Sequence, residues 1–167
     1  MKPEPPGTPE IVELPDQPYV GIGADVAMNE LGGKLPPLLG ELFGWLAARQ
    51  LAPAGAPFFK YNTVDMDREL EVEVGIPVAA PVAGDDVVSA GVLPAGRYAQ
   101  LFYIGHPDGL LEATRTLLAW GEQQGVRWDV EGEPQRWRAR LEYYHTDPAE
   151  QPDMNQWRTE LRFRLAD

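Results

Sequence analysis

Cysteine is absent from this sequence. No disulfide framework, thiolate nucleophile or thiolate-held metal can be built from it. The absence fits a reducing compartment, and a cytoplasmic protein is expected. Histidine is scarce, with two in 167 residues. His106 and His145 stand apart with no cysteine between them, so no metal site is expected. Both are read as turn or surface residues. Basic side chains are few: 14 Lys and Arg stand against 26 Asp and Glu, a formal net charge of −12. Nucleic-acid binding needs a cationic footprint to neutralise phosphates, so no direct contact with nucleic acid is expected. The same field attracts cations and favours solubility. Long apolar runs are also missing, so no membrane span is expected. The opening "MKPEPPGTPE" lacks the apolar region of a signal peptide. Its prolines forbid helix, and residues 1–9 are expected to form a loose arm.

What is present reads as one domain, residues 10–167, long enough to bury a core. Two strand pieces with a kink at Leu14-Pro15-Asp16 are predicted in "EIVELPDQPYVGIGADVA", 10–27. A helix follows over 34–51, with Leu38, Leu39, Leu42, Phe43 and Leu46 at helical spacing and Pro36-Pro37 suited to its first turn. "APFFKYNTVDMD" (56–67) and "ELEVEVGIPVA" (69–79) read as an antiparallel hairpin. In its second arm Leu70, Val72 and Val74 alternate against Glu71 and Glu73. After the linker 81–86 the pattern repeats. "DVVSAGVLPAGRYAQLFYIG" (86–105) is strand-like, and 107–125 is helical with Asp108 as the expected N-cap. "RWRARLEYYHTDP" and "NQWRTELRFRLA" close the chain as strands.

The order strand, helix, strand, strand is therefore stated twice, in 10–80 and 86–167. "LPDQPY" at 14–19 matches "LPAGRY" at 93–98, "YNT" at 61–63 matches "YHT" at 144–146, and "ELEVEV" at 69–74 matches "ELRFRL" at 160–165. The expected fold is α+β: two tandem modules forming an antiparallel sheet of about eight strands, with two helices on one face. The junction of the modules is a groove, the usual place for a small ligand.

"LPAGRYAQLFYIGHPDGLLEATRTLLAWGEQQGV" and the later "RLEYYHTDP…WRTELRFRL" resemble the second half and closing hairpin of the GyrI-like small-molecule-binding family. The resemblance extends over about residues 10–167. It implies a stand-alone relative of the effector domains of multidrug-sensing transcription regulators, with an acidic residue of an E-x-Y strand contacting lipophilic cations at the floor of an aromatic cleft. The matching residues are Glu142 and Tyr144. Some stand-alone members resemble hydrolases that open strained cyclopropane rings of DNA-alkylating natural products, and there the same glutamate is catalytic. The family name also suggests a module that sequesters a protein such as gyrase. The sequence departs from the regulators in having no length for a helix-turn-helix within these residues.

From the residues alone, Glu142 has two readings. Arg138, Arg140, Glu142 and Tyr144 share one strand face. They could form a wet face with an Arg140–Glu142 ion pair worth little, or Glu142 could be the one charge in a greasy cleft. With the resemblance, the second is preferred, and the expected ligand is a hydrophobic, cationic small molecule. Aromatic faces hold such cations. Tyr61 and Tyr144 are favoured because the repeat makes them equivalent; Phe59, Trp45, Tyr103, Phe102 and Trp120 complete the expected walls. If the chain is an enzyme, Glu142 acts as base and Tyr144 orients the substrate. "GIG" at 21–23 lacks the third glycine and following helix of a dinucleotide loop. No Ser-His-Asp set can be argued, and no cofactor is expected. The oligomeric state stays open.

Overall fold

The computed structural model describes residues 7–65 and 68–167. Most of the expected arm lies outside the described residues. Within them, Gly7 N donates to Phe102 O at 3.1 Å. β1 (Glu10–Leu14) and β2 (Gln17–Val26) are two parts of one bent run. The bend falls at Pro15, which has no N–H for the ladder. β3 (Phe58–Val64) and β4 (Leu70–Pro77) form the hairpin of the first half. β5 (Ser89–Leu93) and β6 (Gly96–Ile104) bend in the same way at Pro94. A short pair follows, β7 (Val130–Glu131) and β8 (Gln135–Trp137), then β9 (Arg140–Tyr144) and β10 (Arg158–Arg164).

All pairings are antiparallel, and eight strands run in the order β1-β6-β10-β9-β3-β4-β2-β5, with β7 and β8 added beside β3. The two bent strands pair along their whole length in one register: Glu10 opposite Gln100, Leu14 opposite Gly96, Gln17 opposite Leu93, Gly21 opposite Ser89. This ladder ties the two ends of the path together, so the sheet curls into a half-barrel.

The helices are α1 (Leu31–Ala48) and α2 (Leu110–Gln123). α1 begins earlier than its prolines suggest. A 3₁₀ turn over Met28–Glu30 leads into it, and Glu30 Oε1 accepts from Ala27 N at 2.9 Å. Glu30 N donates back to Ala27 O at 2.9 Å; this pair of bonds supplies the start, and Pro36 and Pro37 then lie inside the helix. Before α2 the capping side chain is His106, not Asp108: its Nδ1 accepts from Asp108 N at 3.0 Å at the head of the 3₁₀ turn that leads into the helix. Pro107 then opens that turn, where a missing N–H costs nothing.

α1 buries Leu35, Leu42 and Leu46 against Val20, Ile22, Val72 and Val74. α2 buries Ala113 and Leu117 against Ala99, Leu101, Leu161 and Phe163. Cross-strand registers line up Ile22, Val74, Phe59, Glu142, Leu161 and Leu101 in one row across six strands. Both helices therefore cover the same face. The opposite row is Gly21, Gly75, Phe58, Tyr143, Glu160 and Phe102. That face carries a third core of Tyr19, Phe58, Leu93, Tyr98, Leu141 and Tyr143.

The halves meet at two seams, and each reads the same when the halves are exchanged. Leu14 stands to Gly96 as Leu93 stands to Gln17. Phe58 stands to Tyr143 as Leu141 stands to Lys60. Phe59 and Glu142 are thus equivalent positions facing each other, and Tyr61 is the equivalent of Tyr144. The third string match slips. Val74 lies opposite Phe59 and Leu161 opposite Glu142, which equates Glu73, not Glu69, with Glu160. The slip is four residues, and an even slip leaves an alternating pattern on the same faces.

Candidate functional site

α1 packs over β2 and β4 and α2 over β6. The central seam of β3 and β9 lies between them, and its floor is the row already described. Every residue in that row is apolar except Glu142. Val74 and Leu161 are buried, whereas Phe59, Tyr61, Arg140, Glu142 and Tyr144 all keep partial exposure. Strand alternation brings residues 140, 142 and 144 to this face, and β3 supplies Phe59 and Tyr61 from across the seam.

Glu142 is held by two phenols. Tyr61 Oη donates to its Oε1 at 3.3 Å, and Tyr144 Oη donates to the same oxygen in a short hydrogen bond. No described residue donates to Oε2. The surrounding protein strips water from the carboxylate and raises its pKa above the usual range; the hydrogen bonds from Tyr144 and Tyr61 and the charge of Arg140 oppose the rise. The carboxylate is thus desolvated while it keeps partial exposure. Burial, and then the charge of Glu142, push the Tyr61 and Tyr144 hydroxyls well above their ordinary value, so both remain donors. The Phe59 ring meets the Tyr144 ring edge-on at 4.7 Å.

Arg140 is the member that pattern reading undervalued. It forms no ion pair with Glu142 among the described residues. Its guanidinium lies between Trp137 and Phe163, at 5.1 and 4.9 Å from the ring centroids. Its Nε is buried without a hydrogen-bond partner, and burial lowers its pKa. Its place beside Glu142 follows from alternation. The aromatic clamp does not, because Phe163 comes from the neighbouring strand β10.

The structure brings Glu142, Tyr144, Tyr61 and Phe59 together. Tyr103 lies on the same face, in one row with Thr159 and Tyr144, while Trp45, Trp120 and Phe102 are placed elsewhere. Trp45 donates Nε1 to Asp85 Oδ2 at 2.8 Å and carries the Arg49 guanidinium 3.8 Å from its ring centroid. The Trp45 N–H, followed by the Val88 and Val87 amides, holds the Asp85 carboxyl down at about 2. Tyr103 packs in the α2 core and donates to His106 O at 2.8 Å. Trp120 packs in that same core. Phe102 is on the opposite face, beside His145 and under Arg158. His145 joins Glu160 on that face, at 2.7 Å. Among the described residues no group of three acidic or histidine side chains could hold a metal ion, and no helix is long and apolar enough to cross a membrane.

Comparison with solved structures places this arrangement. The EcmrR C-terminal domain matches with a TM-score of 0.78 and 20% identity, over 96% of this chain and 98% of that one. EcmrR in its DNA complex matches with a TM-score of 0.76 and 18% identity over 96% of this chain, which spans 57% of that longer chain. SAV2435 bound to tetraphenylphosphonium matches with a TM-score of 0.62 and 11% identity, over 96% of this chain and 94% of that one. A hydrolase from Listeria innocua matches with a TM-score of 0.59 and 14% identity, covering 95% and 91%. No curated protein matches the sequence. The model of the GyrI-like small molecule binding domain matches residues 7–166, nearly the whole described chain. With the half-barrel fold, that match makes the chain a member of the GyrI-like small-molecule-binding family.

Proposed function

We propose that the chain binds hydrophobic cations in the groove over β3 and β9, with Glu142 supplying the charge and Phe59, Tyr61 and Tyr144 the walls. The observation that carries this reading is the asymmetry of the Glu142 carboxylate. One oxygen is fixed by two tyrosines, and the other accepts nothing from the described residues. A desolvated carboxylate gains most from a partner that brings a positive charge and few water contacts of its own. Aromatic edges and faces around it suit delocalised cations. The tetraphenylphosphonium bound to SAV2435 is of this chemical kind. Arg140 stands in the same groove, stacked into Trp137 and Phe163, and offsets part of the attraction. Shape and ring contact therefore share selectivity with charge.

Fluorescence titration with a rhodamine-type cation and an anionic dye of matched size tests the reading. The cation is expected to bind more tightly. Long-range charge speeds encounter, while the desolvated pair sets affinity, so the preference should persist at raised salt. Equal affinities would reject it.

A second reading is favoured by one observation: Glu142 has a raised pKa and two phenols in contact. Such a carboxylate suits a general base on water, with Tyr144 orienting a strained cyclopropane substrate. The hydrolase among the structural neighbours is compatible with it. Product analysis during the same titration separates the two, since turnover marks the enzyme and saturation without turnover the binder.

A further inference from the structure

The face of the sheet turned away from the helices holds a cavity of about 260 Å³. It opens beside the bend at Leu14 and Pro15 and the loop at Ala54–Ala56. The two-fold repeat explains why space is left there. In the first half Phe58 lies opposite Gly75, and its ring occupies the room that a Cβ on residue 75 would need. That ring also meets Tyr19 and Tyr143, each at 5.3 Å between centroids. The equivalent pair in the second half is Leu141 opposite Arg162. Leu141 is shorter than phenylalanine, and Arg162 leans its guanidinium over Tyr143, 4.8 Å from the ring centroid. Leu141 and Tyr98 are themselves 1% exposed, so the smaller filling leaves its space outward of them, toward Leu14, Pro15 and Ala54–Ala56.

The polar groups of this cavity are unequally spent. Glu160 is 1% exposed and uses both oxygens: Oε1 lies 2.7 Å from His145 Nε2, and Oε2 accepts from Arg162 Nε at 2.5 Å. Its charge is met inside the protein, as a buried carboxylate requires. Arg162 Nε also reaches Gln100 Oε1 at 3.3 Å. The side-chain hydrogen bonds of Arg162 among the described residues all run from Nε, and its charge is already matched by Glu160. What remains on offer is therefore the donor edge of an ion-paired guanidinium, against walls of Leu93, Tyr98, Leu141 and Tyr143.

We propose that this cavity is a second ligand site, for a small apolar carboxylate whose body lies against Leu141 and Tyr98 and whose carboxylate meets the free edge of Arg162. Its size suits a single ring or a short chain rather than a drug-sized molecule. Arginine presents parallel donors that match a carboxylate two to two. The net charge of −12 opposes approach of any anion at long range, so added salt should tighten this binding. The site is independent of the function proposed above.

Calorimetric titration of the full chain with benzoate, and with benzamide as the neutral isostere, tests the proposal. Benzoate should bind at least about tenfold more tightly, the worth of one charge-assisted contact. Leu141→Phe copies the first half's filling residue and touches no charge. It should weaken benzoate roughly tenfold or more while leaving rhodamine affinity within about twofold. Circular dichroism checks that this variant folds. If it does not, Ala54→Trp at the exposed rim blocks the same opening and should give the same loss. Absence of benzoate binding, equal affinities for benzoate and benzamide, undiminished binding in the folded blocked variant, or displacement of benzoate by rhodamine would each overturn the assignment. Failure of the rhodamine titration alone would bear only on the Glu142 groove.

Discussion

Replacing Glu142 by Gln is expected to weaken binding of a rhodamine-type cation by roughly 1–3 kcal/mol, the range of a charge-assisted contact. Shape and hydrogen bonding with Tyr61 and Tyr144 are kept, so the loss reports charge. Stability should stay level or rise. Desolvation raises the Glu142 pKa in the folded chain above its unfolded value. The folded state therefore holds the proton more tightly, and an ionised Glu142 is a cost to folding. That cost is absent below the unfolded value, appears as pH rises through the raised one, and is fully present above it. Gln removes it, so any gain in stability should be seen at neutral pH and vanish in acid. Cation affinity of the natural chain should fall as pH drops through the raised value, while the variant stays flat. Urea unfolding and dye titration at several pH values measure both. If ring opening is the activity, turnover is lost in this variant while a neutral substrate still binds. Unchanged dye affinity with unchanged turnover would make Glu142 an ordinary residue of a wet strand face.

Phe58→Ala is expected to cost roughly 3–5 kcal/mol, the usual range for removing a fully buried ring. Phe58 is 0% exposed and is wedged between Tyr19 and Tyr143, over Gly75. Its neighbours belong to both halves, so the cavity cannot close by shifting one half alone. The midpoint of urea unfolding should move strongly with little change in slope. A loss below about 1 kcal/mol would show that the seam tolerates a void there.

Much of this architecture was legible because alternation and punctuation are local. Leu70, Val72 and Val74 against Glu71 and Glu73 place one face of β4 inside, and the two prolines at 15 and 94 mark the bends. Glu142 and Tyr144 come together for the same reason. Tyr61 joins them because the repeat carries the equivalence across the chain. The starts of the helices were less legible. They depend on Glu30 reaching back to Ala27 and His106 accepting from Asp108, where competing residues of similar propensity stand nearby. The places of the remaining expected wall residues were less legible for a different reason. Trp45, Tyr103 and Trp120 are apolar enough for a groove or a core, and contacts between distant segments decide which, whereas Phe102 is placed by strand alternation. Asp85 claims Trp45, and alternation on β6 turns Phe102 to the far face. The clamp of Trp137 and Phe163 around Arg140 is likewise a cross-strand event that no spacing announces.

The ladder between the two bent strands has a consequence for how the chain is made. Gln100 reaches Glu10 across 90 positions, and Tyr61 reaches Glu142 across 81. Neither half pairs its first strand within itself: β1 has no partner until β6 has been synthesised, and β3 has one free side until β9 arrives. A nascent chain stopped after β4 would expose both of these edges at once. Closure of long loops dominates the entropy of such a topology, so the helices and hairpins should form early and wait for the seams. The slow step in reaching the native state is then the meeting of two half-sheets, each already shaped to receive the other.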